Sequence, residues 1–103
     1  MVNLLFNINN NPDICIGIDK KYNNSSLTNF TIEHFKKYGY SVEINRPYKG
    51  TIIPNKYLNK NNKRLSSIML EINKRIYLKD KNSFNKLKKC IDDYYNKIQS
   101  SKL

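Results

Sequence analysis

The residue best suited to chemistry in this sequence is Glu71, a carboxylate inside the apolar stretch 67–73 (SIMLEIN). Burying a carboxylate costs free energy unless the group has partners or a chemical task. Burial also raises the pKa of a carboxyl group, which suits a general acid or base near neutral pH. The alternative is a structural glutamate paired with Arg75 or Arg46, and the spacing alone favours this alternative.

A second candidate constellation is the segment 45–50 (NRPYKG), where a predicted strand gives way to a loop. Ligand contacts in α/β proteins are concentrated at such junctions. Arg46 is one of only three arginines in a chain with 16 lysines. Its planar guanidinium can bind a carboxylate through two hydrogen bonds, which lysine cannot do. The alternative, in which Arg46 caps the strand end or pairs with Glu43, has equal weight at this point.

The chain has few soft metal ligands: two cysteines, Cys15 and Cys90, and one histidine, His34. A structural zinc site needs about four ligands from Cys, His or carboxylate side chains. Neither cysteine belongs to a CxxC pair, and each lies in an apolar or helical pattern. The sequence therefore predicts two buried, reduced thiols and no metal site built by this chain alone.

The elements that must position these residues follow from hydrophobic periodicity. Helix boundaries are set by Ser25 or Ser26 as the N-cap of the first helix and by Gly39 as its C-terminal stop. The predicted elements are a strand at 13–18, a helix from 25 or 26 to about 38, strands at 40–45 and 67–73, and a helix from 83 to about 98. This β-α-β-β-α order predicts an α/β fold. Because three strands make a thin sheet with exposed edges, we expect part of a larger sheet or an oligomer.

Composition narrows the functional classes further. The 103 residues predict a single small domain or part of one, and the polar segment 55–64 is predicted to be a mobile loop. The net charge of +11 suggests a polyanion partner, but 16 lysines beside 17 asparagines are typical of an AT-rich genome, which argues against nucleic-acid binding. No apolar run reaches the ~20 residues that span a bilayer, and no signal peptide is evident, so a cytoplasmic location is expected.

Three strings occur together in an order and spacing similar to a known family. They are 12–17 (PDICIG), then 39–42 (GYSV) with 45–51 (NRPYKGT), then 69–73 (MLEIN) followed by Arg75 and Tyr77. Together they resemble the C-terminal half of the N-formylglutamate amidohydrolase family, from about residue 5 to about residue 95.

The resemblance implies an α/β fold related to the zinc carboxypeptidases, here a partial sheet of three strands and two helices. It implies hydrolysis of the formyl amide of an N-acyl amino acid by a metal-activated water, with zinc as the family's cofactor. Glu71 resembles the catalytic base. Asn45 and Arg46 resemble a pair that holds the substrate's α-carboxylate, with Tyr48 lining the pocket. Asp19 and Asn73 are further pocket residues, and Asp19 is expected at the same sheet edge as the rest.

Two departures from the family pattern bear on activity. The family's metal ligands belong to an N-terminal half with no counterpart here, and Ile18, Lys21 and Tyr22 stand where similar sequences have Thr and Phe-His. We therefore expect residues 1–103 to be one partial domain, a truncated or split member that binds no zinc and is inactive alone. Two alternatives remain open: a non-catalytic remnant acting as an oligomer or as a subunit beside a missing N-terminal half, and a weak basic nucleic-acid-binding module.

Overall fold

The computed structural model of the protein describes residues 2–3, 11–45 and 66–100. Its centre is a mixed four-stranded sheet with strand order β1-β4-β2-β3. β2 runs parallel to β3 and antiparallel to β4, while β1 runs parallel to β4. The strands are β1 (Val2–Asn3), β2 (Ile14–Ile18), β3 (Val42–Ile44) and β4 (Ile68–Ile72).

One face of this sheet carries the hydrophobic core. Alternation along β2 and β4 directs Ile14, Ile16, Leu70 and Ile72 to the same side, because side chains at i and i+2 share a face. Both helices contribute side chains to this cluster, among them Phe35, Leu87, Cys90 and Tyr94. The four side chains from β2 and β4 are buried, and the alternate residues Cys15 and Glu71 lie on the other face of the sheet.

The first helix, α1 (Ser25–Lys37), begins and ends through specific hydrogen bonds. The N-cap is Asn24, whose side-chain oxygen accepts from the Leu27 amide at 3.1 Å. The predicted cap at Ser25 or Ser26 is therefore wrong by one or two residues, because asparagine caps as well as serine does. Gly39 follows the helix with φ of 89°, the left-handed conformation that favours glycine and that the sequence predicted there.

The second helix, α2 (Lys81–Ser100), is longer than the predicted 83 to 98. It begins early because the Asp80 side chain accepts from the Ser83 amide at 2.7 Å, and this hydrogen bond lowers the pKa of Asp80. Leu87 and Tyr94 are buried as the apolar stripe predicts, whereas Phe84 is 52% exposed. Phe84 borders a groove beside Tyr77 instead of the sheet, which explains its exposure.

The β-α-β-β-α order predicted from the sequence is confirmed, and the class is α/β. The two-residue strand β1 was not predicted. β3 is shorter than the predicted 40–45, and Ile44 at its end is 42% exposed. The predicted mobile loop at 55–64 lies outside the described residues. Neither helix of the described chain has the length and apolar composition needed to cross a bilayer.

Candidate functional site

A row of chemically active side chains crosses the polar face of the sheet. Cys15 on β2 lies directly opposite Glu71 on β4 and directly opposite Glu43 on β3. Directly paired residues project to the same face of a sheet, so two carboxylates flank a thiol. Cys15 and Glu71 are buried, at 0% and 5% exposure, while Glu43 is half-buried. The row lies on the opposite side of the sheet from the apolar core.

Glu71 is the most unusual group in this row. Its Oε2 atom is buried and has no hydrogen-bond partner among the described residues. Burial raises the pKa of Glu71, because removal of water disfavours the charged form. The structural alternative named Arg75 as an ion-pair partner, but Arg75 binds Asp13 at 2.9 Å. A buried carboxylate with an unoccupied oxygen can accept a proton from a small molecule that reaches it.

Asn73, predicted as a pocket residue, is fully buried and makes structural hydrogen bonds. Its amide nitrogen Nδ2 donates to the Pro12 carbonyl at 3.5 Å, and its Oδ1 accepts from the Arg75 backbone amide at 3.2 Å. Its backbone amide donates to the Asp13 carbonyl at 2.9 Å. Asn73 therefore fastens the end of β4 to the start of β2 and begins the 3-10 helix Lys74–Ile76.

Asn45 follows β3 in the left-handed conformation, with φ of 56°. Its side-chain Oδ1 accepts from the Ile18 amide at 2.9 Å, and its backbone amide donates to the Ile16 carbonyl at 2.8 Å. Asparagine tolerates this conformation better than most residues. Asn45 thus ties the end of β3 to β2.

Asp19 follows β2 at the end of the sheet where Asn45 follows the parallel strand β3, next to the Ile18 amide that Asn45 binds. β4 is antiparallel to β2, so the residue that follows β2 is remote from the end of β4. Asp19 is four positions beyond Cys15, the register partner of Glu71, which is about 13 Å along the strand. Its exposed side chain accepts from the Lys21 amide at 3.0 Å and caps the 3-10 helix Lys20–Tyr22. Asp19 and Asn45 therefore share one end of the sheet, whereas the antiparallel direction of β4 places Asn73 at the opposite end.

Two other predicted site residues, Arg46 and Tyr48, lie outside the described residues. The polar face also includes Glu43 and Cys15, which the sequence pattern did not mark as site residues. Their alternation with apolar neighbours is visible in the sequence, but their alignment with Glu71 depends on strand pairing. Only the register between β2, β3 and β4 brings the three together.

His34 and Cys90 belong to the core on the other face. His34 is 3% exposed, and its Nε2 lies 2.8 Å from the Cys90 carbonyl oxygen. Because a carbonyl can only accept, Nε2 carries the proton and donates it. Both cysteines are buried and unpaired as disulfides, as the sequence predicted. Burial raises the pKa of the Cys90 thiol to about 12, so this thiol is unreactive in the native state.

In the part of the chain that the structure describes, the side chains do not fit a zinc site. The described residues include its single histidine, both cysteines and all eight acidic residues. Within that part of the chain no three such groups lie close enough to hold a metal ion. His34 and Cys90 are on one side of the sheet and Glu71 is on the other, so the sheet itself separates them.

Comparison with known proteins identifies the family of this chain. No curated protein and no solved structure matches the chain. A family model described as N-formylglutamate amidohydrolase matches residues 2–78, about three quarters of the sequence. The matched range contains all four strands, helix α1 and Glu71. The chain therefore belongs to the N-formylglutamate amidohydrolase family.

Proposed function

We propose that the polar face of the sheet is an amide-hydrolysis site for an N-acyl amino acid, with Glu71 as its general base. The observation that supports this most directly is the buried Glu71 carboxyl group, whose Oε2 lacks a hydrogen-bond partner within the described chain. Membership of an amidohydrolase family gives that carboxylate a reaction to serve. A general base is most effective when its pKa lies near the working pH, and burial shifts the pKa of Glu71 in that direction.

The chemistry asked of Glu71 is transfer of one proton. Its carboxylate accepts a proton from the water that attacks the formyl carbonyl carbon, and the C–N bond then breaks. The proton passes to the leaving amine nitrogen, which gives formate and a free amino acid. In the proposed site Arg46 and Asn45 bind the substrate's α-carboxylate, and Tyr48 lines the pocket.

We further propose that the chain is a truncated or split family member, corresponding to the family's C-terminal half and acting in the cytoplasm. The support is chemical: the described residues contain every His, Cys, Asp and Glu of the chain but no group of three that could hold zinc. In this proposal the chain provides the base and the carboxylate-binding residues, and it is incomplete as an enzyme. No step of the reaction is assigned to a metal held by this chain.

The purified chain is expected to contain far less than one zinc per molecule and to release no formate from N-formylglutamate. Metal content by elemental mass spectrometry and a formate-release assay measure the two quantities. Glu33→Gln, on the exposed surface of α1, is the matched control for Glu71→Gln. One zinc per chain together with turnover that Glu71→Gln abolishes and Glu33→Gln preserves would show that the chain is a complete enzyme.

A second candidate function is that of a subunit whose sheet is extended by another polypeptide. β3 is an edge strand of the described sheet, and its last residue, Ile44, is a large apolar side chain exposed at that edge. An edge of this kind is a template for strand addition.

This second candidate predicts association through β3. The chain should elute from a sizing column ahead of a 12.2 kDa monomer, and the change in elution should grow with concentration. Ile44→Lys should return it to the monomer position, because a charge on an edge strand opposes pairing. Leu78→Lys, at another exposed apolar residue far from β3 in sequence, is the control. A monomer at every concentration would contradict self-association.

A further inference from the structure

Asp13 is the centre of a hydrogen-bonded cluster that joins three strands at one end of the sheet. Its Oδ1 accepts from the Arg75 guanidinium at 2.9 Å, and its Oδ2 accepts from the Ser41 amide at 2.9 Å. Its own backbone amide donates to the Ser41 hydroxyl oxygen at 2.8 Å. Ser41 immediately precedes β3, and Arg75 follows β4. One carboxylate therefore connects the start of β2, the start of β3 and the end of β4.

The cluster acts on the part of β4 that carries Glu71. Asn73, two residues after Glu71, donates its backbone amide to the Asp13 carbonyl at 2.9 Å. Arg75 then closes the loop by returning to the Asp13 side chain. The next residue pairs between β2 and β4 are Ile14 with Ile72 and Cys15 with Glu71, so they lie beside these bonds. A displacement of β4 by one residue would turn Glu71 toward the apolar core. The bonds of Asp13 with Asn73 and Arg75 therefore help to fix the face on which Glu71 lies.

We propose that Asp13, Arg75 and Ser41 form a positioning clamp that holds Glu71 beside Cys15 on the polar face and away from bulk water. The proposal rests on the function proposed for Glu71 and adds the residues that orient this base. The hydrogen bonds of the clamp join Asp13, Ser41 and Arg75 to one another, so these are positioning residues. They act by fixing the end of β4 against β2.

The Asp13–Arg75 ion pair is partly exposed, with side-chain exposures of 21% and 38%. Ion pairs in such settings contribute little to global stability. Breaking this pair should therefore leave the chain folded while it loosens the end of β4. A variant that keeps its global stability but changes the environment of Glu71 would show that the ion pair positions Glu71 and does not merely support the fold.

The test measures the pKa of Glu71 in the purified chain, by a pH titration of the carbon-13 NMR signal of its side-chain carboxyl group. Arg75→Gln should lower the pKa of Glu71 by at least half of the difference between the wild-type value and the ordinary value, because water reaches the carboxylate. The direction is diagnostic. Loss of a nearby positive charge acting directly on Glu71 would raise that pKa instead. Arg75→Lys keeps the charge and should retain most of the wild-type pKa.

Lys97→Gln is the matched control, since it breaks the other ion pair of the described chain, Lys97–Asp93 on α2. It should leave the pKa of Glu71 unchanged. If Arg75→Gln does not fold, Ser41→Ala tests the same clamp from β3. It removes the hydroxyl that accepts from the Asp13 amide and leaves the Ser41 amide in place.

The outcomes separate this proposal from the proposed function. A Glu71 pKa that is raised in the wild type and unchanged in Arg75→Gln and Ser41→Ala overturns the clamp alone. An ordinary pKa in the wild type overturns both the clamp and the role of Glu71 as a tuned base. A raised pKa that falls in the variants supports the clamp, whether or not the chain hydrolyses an amide.

Discussion

Replacing Glu71 by glutamine should remove a fall in stability that the wild-type protein shows as the pH rises. Burial raises the pKa of Glu71 in the folded chain. Between its ordinary pKa and this raised value, the folded state keeps the proton and the unfolded state releases it. The free energy of unfolding therefore decreases with increasing pH across that window, by about 1.4 kcal/mol for each pH unit that separates the two pKa values. Glutamine stays neutral and carries no such dependence.

Urea unfolding at a series of pH values, followed by circular dichroism, measures this effect. Below the ordinary pKa of a glutamate the two proteins should have similar stability, because both side chains are then neutral. Above the window Glu71→Gln should be the more stable of the two. Glu33→Gln, on the exposed side of α1, should keep the wild-type fall. Parallel curves for wild type and Glu71→Gln would mean that Glu71 is solvated or paired.

The same substitution separates stability from function. A residue retained for chemistry often lowers the stability of the fold that contains it. If Glu71→Gln is more stable than the wild type, Glu71 lowers the free energy of unfolding. A purely structural role does not explain that loss of stability. If Glu71 were retained for structure, the substitution should instead lower the free energy of unfolding, because the hydrogen bonds of the glutamate would be weakened.

The elements of this fold could be predicted because each has a strong local signal. The apolar run at 14–18, the alternation near Val42 and the stop at Gly39 are visible without a structure. Two features were not predictable in the same way. β1 has only two residues, too few for a period, and β4 could have run in either direction beside β2. Direction and register are set by long-range pairing, which no local pattern encodes.

The site shows the same limit. Glu71 was identified correctly as a buried carboxylate, since one charge in an apolar strand is visible in the sequence. Asp19 shares its end of the sheet with Asn45 but not with Asn73, because β4 runs antiparallel to β2. Asp13 was treated only as a strand boundary, although it binds Arg75 and Ser41 across intervals of 62 and 28 residues. Partners at such separations become visible only when the sheet is assembled.

Removing the His34 side chain should produce the largest loss of stability among the polar residues considered. The ring is 3% exposed, with its centroid 5.2 to 5.9 Å from the ring centroids of four aromatic neighbours. Those neighbours are Phe30, Phe35, Tyr38 and Tyr94. His34→Ala would leave a cavity among them and would remove the donor to the Cys90 carbonyl. We expect a loss of about 3 kcal/mol in the free energy of unfolding, a large share of the stability of so small a domain.

His34→Phe divides this loss into packing and hydrogen bonding. A phenyl ring fills most of the space of the imidazole, and the Cys90 carbonyl keeps its helical partner four residues later in α2. The cost should therefore be about 1 kcal/mol, the net value of one hydrogen bond. Lys36→Ala, two residues away on the exposed side of α1, should change stability by less than about 0.5 kcal/mol. Urea unfolding of the three variants gives the comparison. If His34→Ala cost less than the phenylalanine variant, or if it released a bound metal, His34 would have a role beyond the packing of α1 against α2.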